Sequence, residues 1–392
     1  MNRSLWLLAA CQGLYLTNNV TFIAINGLVG LALAPLGWMA TLPVMGYVVG
    51  GALSTGVVAR TQQHWGRQRS FQAGLLVAML SALLCAYAAV TRNFWLLCAA
   101  TVVAGYYNAN AGLYRFAAAE LVDAPGREKA VSLVMAGGLL GAVLGPNLAA
   151  RTRDLFAVPF AGAYLALAAV AVLSMALMAF LRFPPPLSRA ELPPGRPLGE
   201  VMRQPTFIVA AAAGALSFGV MNLLMAATPI AMQQCGLPFS DAAFVLEWHV
   251  IGMFAPGFFT GSLIKRFGPL RVMGAGVLLN LACIAVALSG VELHQFTIAL
   301  FMLGVGWNFL FTGSTTLSLS TYRPEEKDKA QGALNFFVMI TLALSSLASG
   351  VLVTTQGWTL LNWGSILPVA VTAAALLWLA ARQRRAAAAA PA

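Results

Sequence analysis

Two spaced pairs of soft donors stand out in the second half of the chain. Met221 and Met225 form an M-x-x-x-M step, and His249 and Met253 form an H-x-x-x-M step. A separation of four residues puts both side chains of each step on one face of a helix. Thioether sulfurs and an imidazole suit cuprous copper and suit magnesium or calcium poorly. His249 is the only one of the three histidines inside an apolar run, since His64 and His294 fall between runs. An ionisable group in such a run is a functional candidate by default. With a rise of about 1.5 Å per residue, antiparallel neighbouring helices would set Met225 level with His249 and Met221 level with Met253. The spacing predicts a copper(I) site made of Met221, Met225, His249 and Met253. No carboxylate or cysteine completes a zinc tetrahedron beside them.

Such residues need helices that cross a bilayer, and the composition supplies them. Of 392 residues, 60% are apolar and only 9% charged, too little charge to keep a soluble domain of this length dispersed. The apolar residues fall in twelve runs of about 20, roughly from 5–29 to 362–381, the length that spans a ~30 Å hydrocarbon core. The predicted class is an all-α integral membrane protein with twelve transmembrane helices. Leu8-Ala9-Ala10-Cys11 looks like a lipoprotein box, but the apolar run continues past it, so it reads as part of the first span. The net charge of +11 does not point to nucleic acid. Nineteen of the 23 Lys and Arg residues fall on one side of the twelve-span arrangement, against Arg92, Arg151 and Arg153 on the other. That bias places both termini in the cytoplasm. The five cysteines have no metal-finger spacing and imply no disulfide framework.

The segment 182–204 is the only long polar connector. Its prolines, Pro184, Pro185, Pro186, Pro193, Pro194 and Pro197, exclude a continuous helix. It divides the chain into units 1–181 and 205–381, six spans each, with 382–392 as a cytoplasmic tail. The units repeat a loop. The first reads Ala59-x-x-x-Gln63-His64-x-Gly66-Arg67-Gln68-Arg69, and the second Gly261-x-x-x-Lys265-Arg266-x-Gly268-Pro269-Leu270-Arg271. These loops resemble the G-x-x-x-D-R-x-G-R-R loop of the major facilitator superfamily, with Ala59 for the first glycine and Gln63 and Lys265 for the acid. Gly137, Gly141, Gly145 and Pro146 resemble the family's fifth-helix glycine motif and read as close helix packing. The resemblance implies the major facilitator fold: two six-helix bundles, a central cavity and alternating access by rocking.

The two soft-donor steps, 28 residues apart, resemble those of the CcoA-type copper importers within that superfamily. This implies copper import across a bacterial inner membrane by a monomer, supplying haem–copper cytochrome oxidase assembly, with copper as cargo rather than resident cofactor. A copper chaperone would receive it. Cys235, in the loop between the two ligand helices, is a candidate to hand copper inward. Glu247 lies two residues from His249, about 200° around the helix, as a candidate proton carrier, an outer-interface anchor or a locally paired residue. Arg115 reads as an interfacial anchor at the inner end of the fourth span. Asn18 and Asn19, then Tyr106, Tyr107, Asn108, Asn110 and Tyr114, then Trp307 and Asn308, are candidate cavity-lining residues. An aromatic and amide lining suits a flat organic ring better than a bare ion. The alternative to copper is therefore import of riboflavin or a related organic solute, the cargo of neighbouring members of the superfamily. No nucleophile–base set or nucleotide loop suggests an enzyme.

Overall fold

The computed structural model describes residues 3–123, 127–183, 195–323 and 326–388, and these are overwhelmingly helical. The first half holds α1 (Arg3–Leu33), a 3₁₀ turn (Gly37–Met39), α2 (Leu42–Val90), α3 (Phe94–Ala111), α4 (Tyr114–Glu120), α5 (Arg127–Ala136), α6 (Gly138–Thr152) and α7 (Ala161–Ala179). After α8 (Leu198–Met202) the second half holds α9 (Pro205–Gln234), α10 (Phe239–Phe254), α11 (Gly257–Phe267), α12 (Pro269–Ser289), α13 (Leu293–Leu319), α14 (Lys327–Thr355) and α15 (Gly357–Ala388).

Among the described residues, nine helical stretches are long and apolar enough to cross a bilayer. Gly66 divides one of them, and α10 with α11 adds a span bent by 41°. The remaining pass is α3 with α4, made more polar by Tyr106, Tyr107, Asn108 and Asn110. Twelve passes result. Several differ in form from the uninterrupted spans of the expectation. The fourth breaks at Gly112–Leu113, the fifth at Gly137 and the eighth at Ala255–Pro256. Proline at 256 lacks the N–H that would continue the ladder. The last helix runs on to Ala388, so the described part of the expected tail, 382–388, continues it. Residues 184–194 of the expected linker and 389–392 lie outside the described residues, and so do the side chains of Arg127, Lys129 and Lys327.

The repeated loops share one backbone device. Gly66 has φ 76° and ψ 170°, and Gly268 has φ 83° and ψ 155°. A residue with a Cβ is strained there, so each glycine turns the chain from one span straight into the next. Glycine also sets a close helix pair in the first half. A Cβ on Gly137 would overlap the Ala9 carbonyl, and one on Gly141 would press on Leu16 and Thr17. α6 therefore lies directly on α1, and Thr21 Oγ1 donates to the Gly145 carbonyl at 2.8 Å.

Candidate functional site

α1 and α9 run through the middle of the molecule, and their burial is lopsided. Every residue of α9 from Gly219 to Met232 is buried, while several before it are not. Two seams join the halves, α2 against α14 and α6 against α10. Both are closed at the end away from the termini. Thr41 Oγ1 donates to the Ser346 carbonyl at 2.6 Å, and Asn147 Nδ2 donates to Glu247 Oε2 at 2.8 Å. The Phe160 and Phe239 rings meet edge-on at 5.1 Å beneath the Arg153 guanidinium. At the terminal end the seam helices come free. Ala52, Leu53, Thr55, Gly56, Val57, Ala59 and Arg60 of α2 are exposed, as are Gly257, Phe258, Phe259 and Gly261 of α11. A cleft thus opens between the halves toward the termini.

The second half contributes an aromatic wall. Trp307 and Phe311, four residues apart on α13, stack with centroids 5.2 Å apart and planes 8° apart. Phe218 of α9 stands edge-on to both, at 4.9 Å and 4.8 Å. Each such pair adds ~0.5–1.5 kcal/mol beyond its buried area, which makes the wall rigid. Trp307 Nε1 is buried without a hydrogen-bond partner. Met221, Met225 and Met253 pack with Trp307 in one apolar cluster, together with Val20 and Ala24 of α1 and Ala142 of α6.

The first half contributes a polar wall. Tyr15 Oη donates to Asn108 Oδ1 at 2.6 Å, and Asn19 Nδ2 reaches Tyr47 Oη at 3.2 Å and Asn108 Oδ1 at 3.4 Å. The Tyr15 ring is edge-on to Tyr107 at 5.7 Å and to Tyr114 at 6.3 Å. Val20, the neighbour of Asn19, belongs to the Trp307 cluster. α1 therefore brings the two walls to one level.

Other expected lining residues do structural work instead. Asn110 bridges Gln62 Nε2 at 2.9 Å and the Ser70 carbonyl at 2.8 Å, tying α3 to α2. Asn308 donates to the Met253 carbonyl and accepts from Thr260 Oγ1, both at 2.7 Å, satisfying backbone at the α10–α11 break. Tyr106 shares a 3.2 Å hydrogen bond with Thr61, and Asn18 is buried in α1. Sequence reasoning passed over Phe218, Phe311, Tyr15 and Tyr47. The signal for Phe311 was present in its four-residue step from Trp307.

Met221 and Met225 of α9 and Met253 of α10 come together in one apolar cluster. α9 and α10 touch, but α10 packs mainly on α13 and α6, and α9 mainly on α14, α13 and α15. His249 turns to α13, where its Nδ1 lies 2.7 Å from the Leu300 carbonyl, and its Nε2 is buried without a partner. The three thioethers sit in the apolar cluster. Cys235 caps α9 in an exposed position, and partial burial pushes its thiol up, away from the thiolate that binds metal. Among the described residues no group of three or more His, Cys, Asp or Glu gathers to hold a metal ion.

The terminal end carries two clamps. Arg67 binds Glu120 through Nε at 3.1 Å and Nη2 at 2.6 Å, and also binds Gln62; Gln63, at the position of the family's acid, is exposed. Arg196 binds Glu326 through its backbone N–H and Nε, both at 2.8 Å, and through Nη2 at 2.7 Å. Those bonds, with the Arg323 N–H, hold the Glu326 carboxyl well below the usual carboxylate range.

The helix order, seams and cleft are those of a carrier that rocks between two sides of a membrane. The major facilitator superfamily pattern matches residues 5–255 and 211–392, and the chain belongs to that superfamily. It is a multi-pass membrane carrier and not an enzyme. It is 37% identical over 366 residues to the riboflavin transporter RfnT of Brucella anthropi, covering 92% of each chain. It is 27% identical to the uncharacterized MFS-type transporter YddS of Bacillus subtilis, over 83% of this chain and 78% of that one. Among solved structures, a bacterial homologue of the human lysosomal transporter Spinster superposes with a TM-score of 0.75 at 14% identity, over 97% of this chain and 98% of that one. These findings overturn the expectation of a CcoA-type copper importer serving oxidase assembly and a copper chaperone. A full-length relative carries riboflavin.

Proposed function

We propose that the chain imports riboflavin or a closely related flat, polar-edged heteroaromatic solute. The observation that carries this is a rigid Trp307–Phe311–Phe218 face in one half and a Tyr15–Asn19–Asn108 network in the other, linked by Val20, the neighbour of Asn19, which packs in the Trp307 cluster. An isoalloxazine ring stacks on the first and offers carbonyls and ring nitrogens to the second. The 37% identity to a riboflavin transporter supports the same cargo. The rocking units are 1–181 and 205–381, joined by 182–204. The positive-inside bias puts the open, terminal end in the cytoplasm of a bacterial inner membrane, so this is an inward-open state. Met221, Met225 and Met253, with His249 behind them, form the flexible plug that closes the cleft on the far side. The sequence holds no nucleotide-binding loop, so transport runs on a gradient or by facilitation.

The test is uptake of labelled riboflavin into proteoliposomes. Saturable uptake competed by unlabelled riboflavin and by lumiflavin, and not by ribitol alone, is the expected outcome. Protein that is folded and correctly inserted yet neither binds nor moves riboflavin would end the proposal.

A further inference from the structure

Among the described residues, no ion pair or hydrogen bond is made to Arg115 Nε, which is buried. Arg115 lies on α4 next to Tyr114, whose ring meets Tyr15 edge-on at 6.3 Å. Its guanidinium lies over the ring of its neighbour Phe116, at 4.8 Å. No ion pair involves it among the described residues, whereas Arg67 and Arg196 each hold a glutamate in two-pronged fashion. It lies within electrostatic reach of Tyr15, the residue that anchors the polar wall. A guanidinium N–H buried without a partner is costly. The fold gains nothing visible from it, so its partner is to be sought in the cleft.

We infer that Arg115 is the specificity-determining donor of the cleft, reading the carbonyl-rich edge of the transported ring. This rests on the proposed heteroaromatic cargo and adds how it is told from other flat rings. Guanidinium presents N–H donors in a planar fork and accepts nothing. It matches a ligand with two acceptors close together in one plane. The dioxopyrimidine edge of a flavin is such a group, with a carbonyl oxygen beside an imino nitrogen. Stacking on Trp307 selects for flatness alone. Arg115 adds the requirement for acceptors, because a ring without them leaves the guanidinium unpaired.

The experiment uses the purified full chain and two probes, riboflavin and phenazine, which shares the flat fused rings but has no carbonyl edge. Binding is read from quenching of ligand and tryptophan fluorescence. The wild type is expected to prefer riboflavin. Arg115→Gln should weaken riboflavin at least about tenfold, as when a buried donor loses its acceptor, and leave phenazine unchanged. Arg115→Lys, which keeps the charge and loses the fork, should fall between. Equal losses for both probes would mean that Arg115 only supports the fold, and undiminished riboflavin binding in Arg115→Gln would mean that it reads nothing; either overturns the inference. Flavin mononucleotide is a third arm. If only its binding depends on Arg115, the guanidinium reads phosphate and the carbonyl-edge assignment fails. A wild type that binds no riboflavin removes the proposed function itself, an outcome separate from these.

Discussion

The two walls of the cleft are built from opposite chemistries on the same kind of scaffold. On the first-half wall, α1 and α3 place Tyr15, Asn19 and Asn108 so that each polar group already has a partner in the protein. On the second-half wall, α9 and α13 place Phe218, Trp307 and Phe311 in ring-to-ring contact, with the indole N–H left over. A stacked wall contributes apolar area without direction. A hydrogen-bonded wall contributes direction with little net energy, because ligand bonds replace bonds already made. In the proposed function, one half holds the cargo and the other identifies it.

The halves differ in the same way at their terminal ends. Arg67–Glu120 is partly exposed, with side chains 23% and 38% accessible, whereas Glu326 is 1% accessible beneath Arg196. The first clamp ties two membrane passes of one half together. The second ties the connector to the chain just before α14, one of the helices that must come apart at the seam.

Removing the stacked wall should have the largest effect. Trp307→Ala deletes the ring that both Phe218 and Phe311 contact, and riboflavin uptake per folded molecule should fall more than about tenfold, stacked aromatic contacts being worth ~1–3 kcal/mol per ring. Trp307→Phe should recover part of it. Full uptake by well-folded Trp307→Ala protein would put the holding function on the other wall.

The clamps should separate next, by acid. The carboxyl of Glu326 is depressed in the folded state, so its stabilisation is complete above the ordinary carboxylate pKa near ~4.3 and is lost as pH falls below it. Melting of the solubilised carrier between pH 7 and 3 should show a steep acid decline, made shallower by Glu326→Gln, which starts less stable at neutral pH. Glu120→Gln should alter the decline less, since an exposed pair contributes little. If Glu120→Gln flattens the profile more, the first clamp is the tighter one and the comparison reverses.

The smallest effect should come from the residues that looked most chemical. Met221→Leu and Met253→Leu nearly conserve volume. Each should cost under about 1.5 kcal/mol of stability and leave riboflavin uptake within about twofold. A large uptake loss in a stable Met253→Leu protein would give the thioether a role beyond packing.

Much of this was legible in one dimension. The apolar runs and the lopsided basic residues carry the membrane class, and the span count follows from run length against bilayer thickness. The loop around Gly66 and its counterpart around Gly268 mark the repeat, because only glycine readily takes that backbone turn. The candidates Asn19, Tyr107, Asn108, Tyr114 and Trp307 also stood out, since polar and amphipathic side chains within a span contrast with hydrocarbon.

The sequence by itself determined that His249 is intramembrane and that Met221, Met225 and Met253 share helical faces with soft donors. It could not determine what those faces meet. A four-residue step fixes the angle between two side chains on one helix, and nothing in it fixes which helix lies opposite. Tertiary packing set α13 against both α9 and α10, turned His249 to the Leu300 carbonyl and enclosed the thioethers among Val20, Ala24 and Ala142. The same packing gathered Phe218, Trp307 and Phe311 from two helices into one wall. The physical reason is that soft-ligand chemistry and apolar packing use the same methionines, and only the neighbours across the helix interface decide between them.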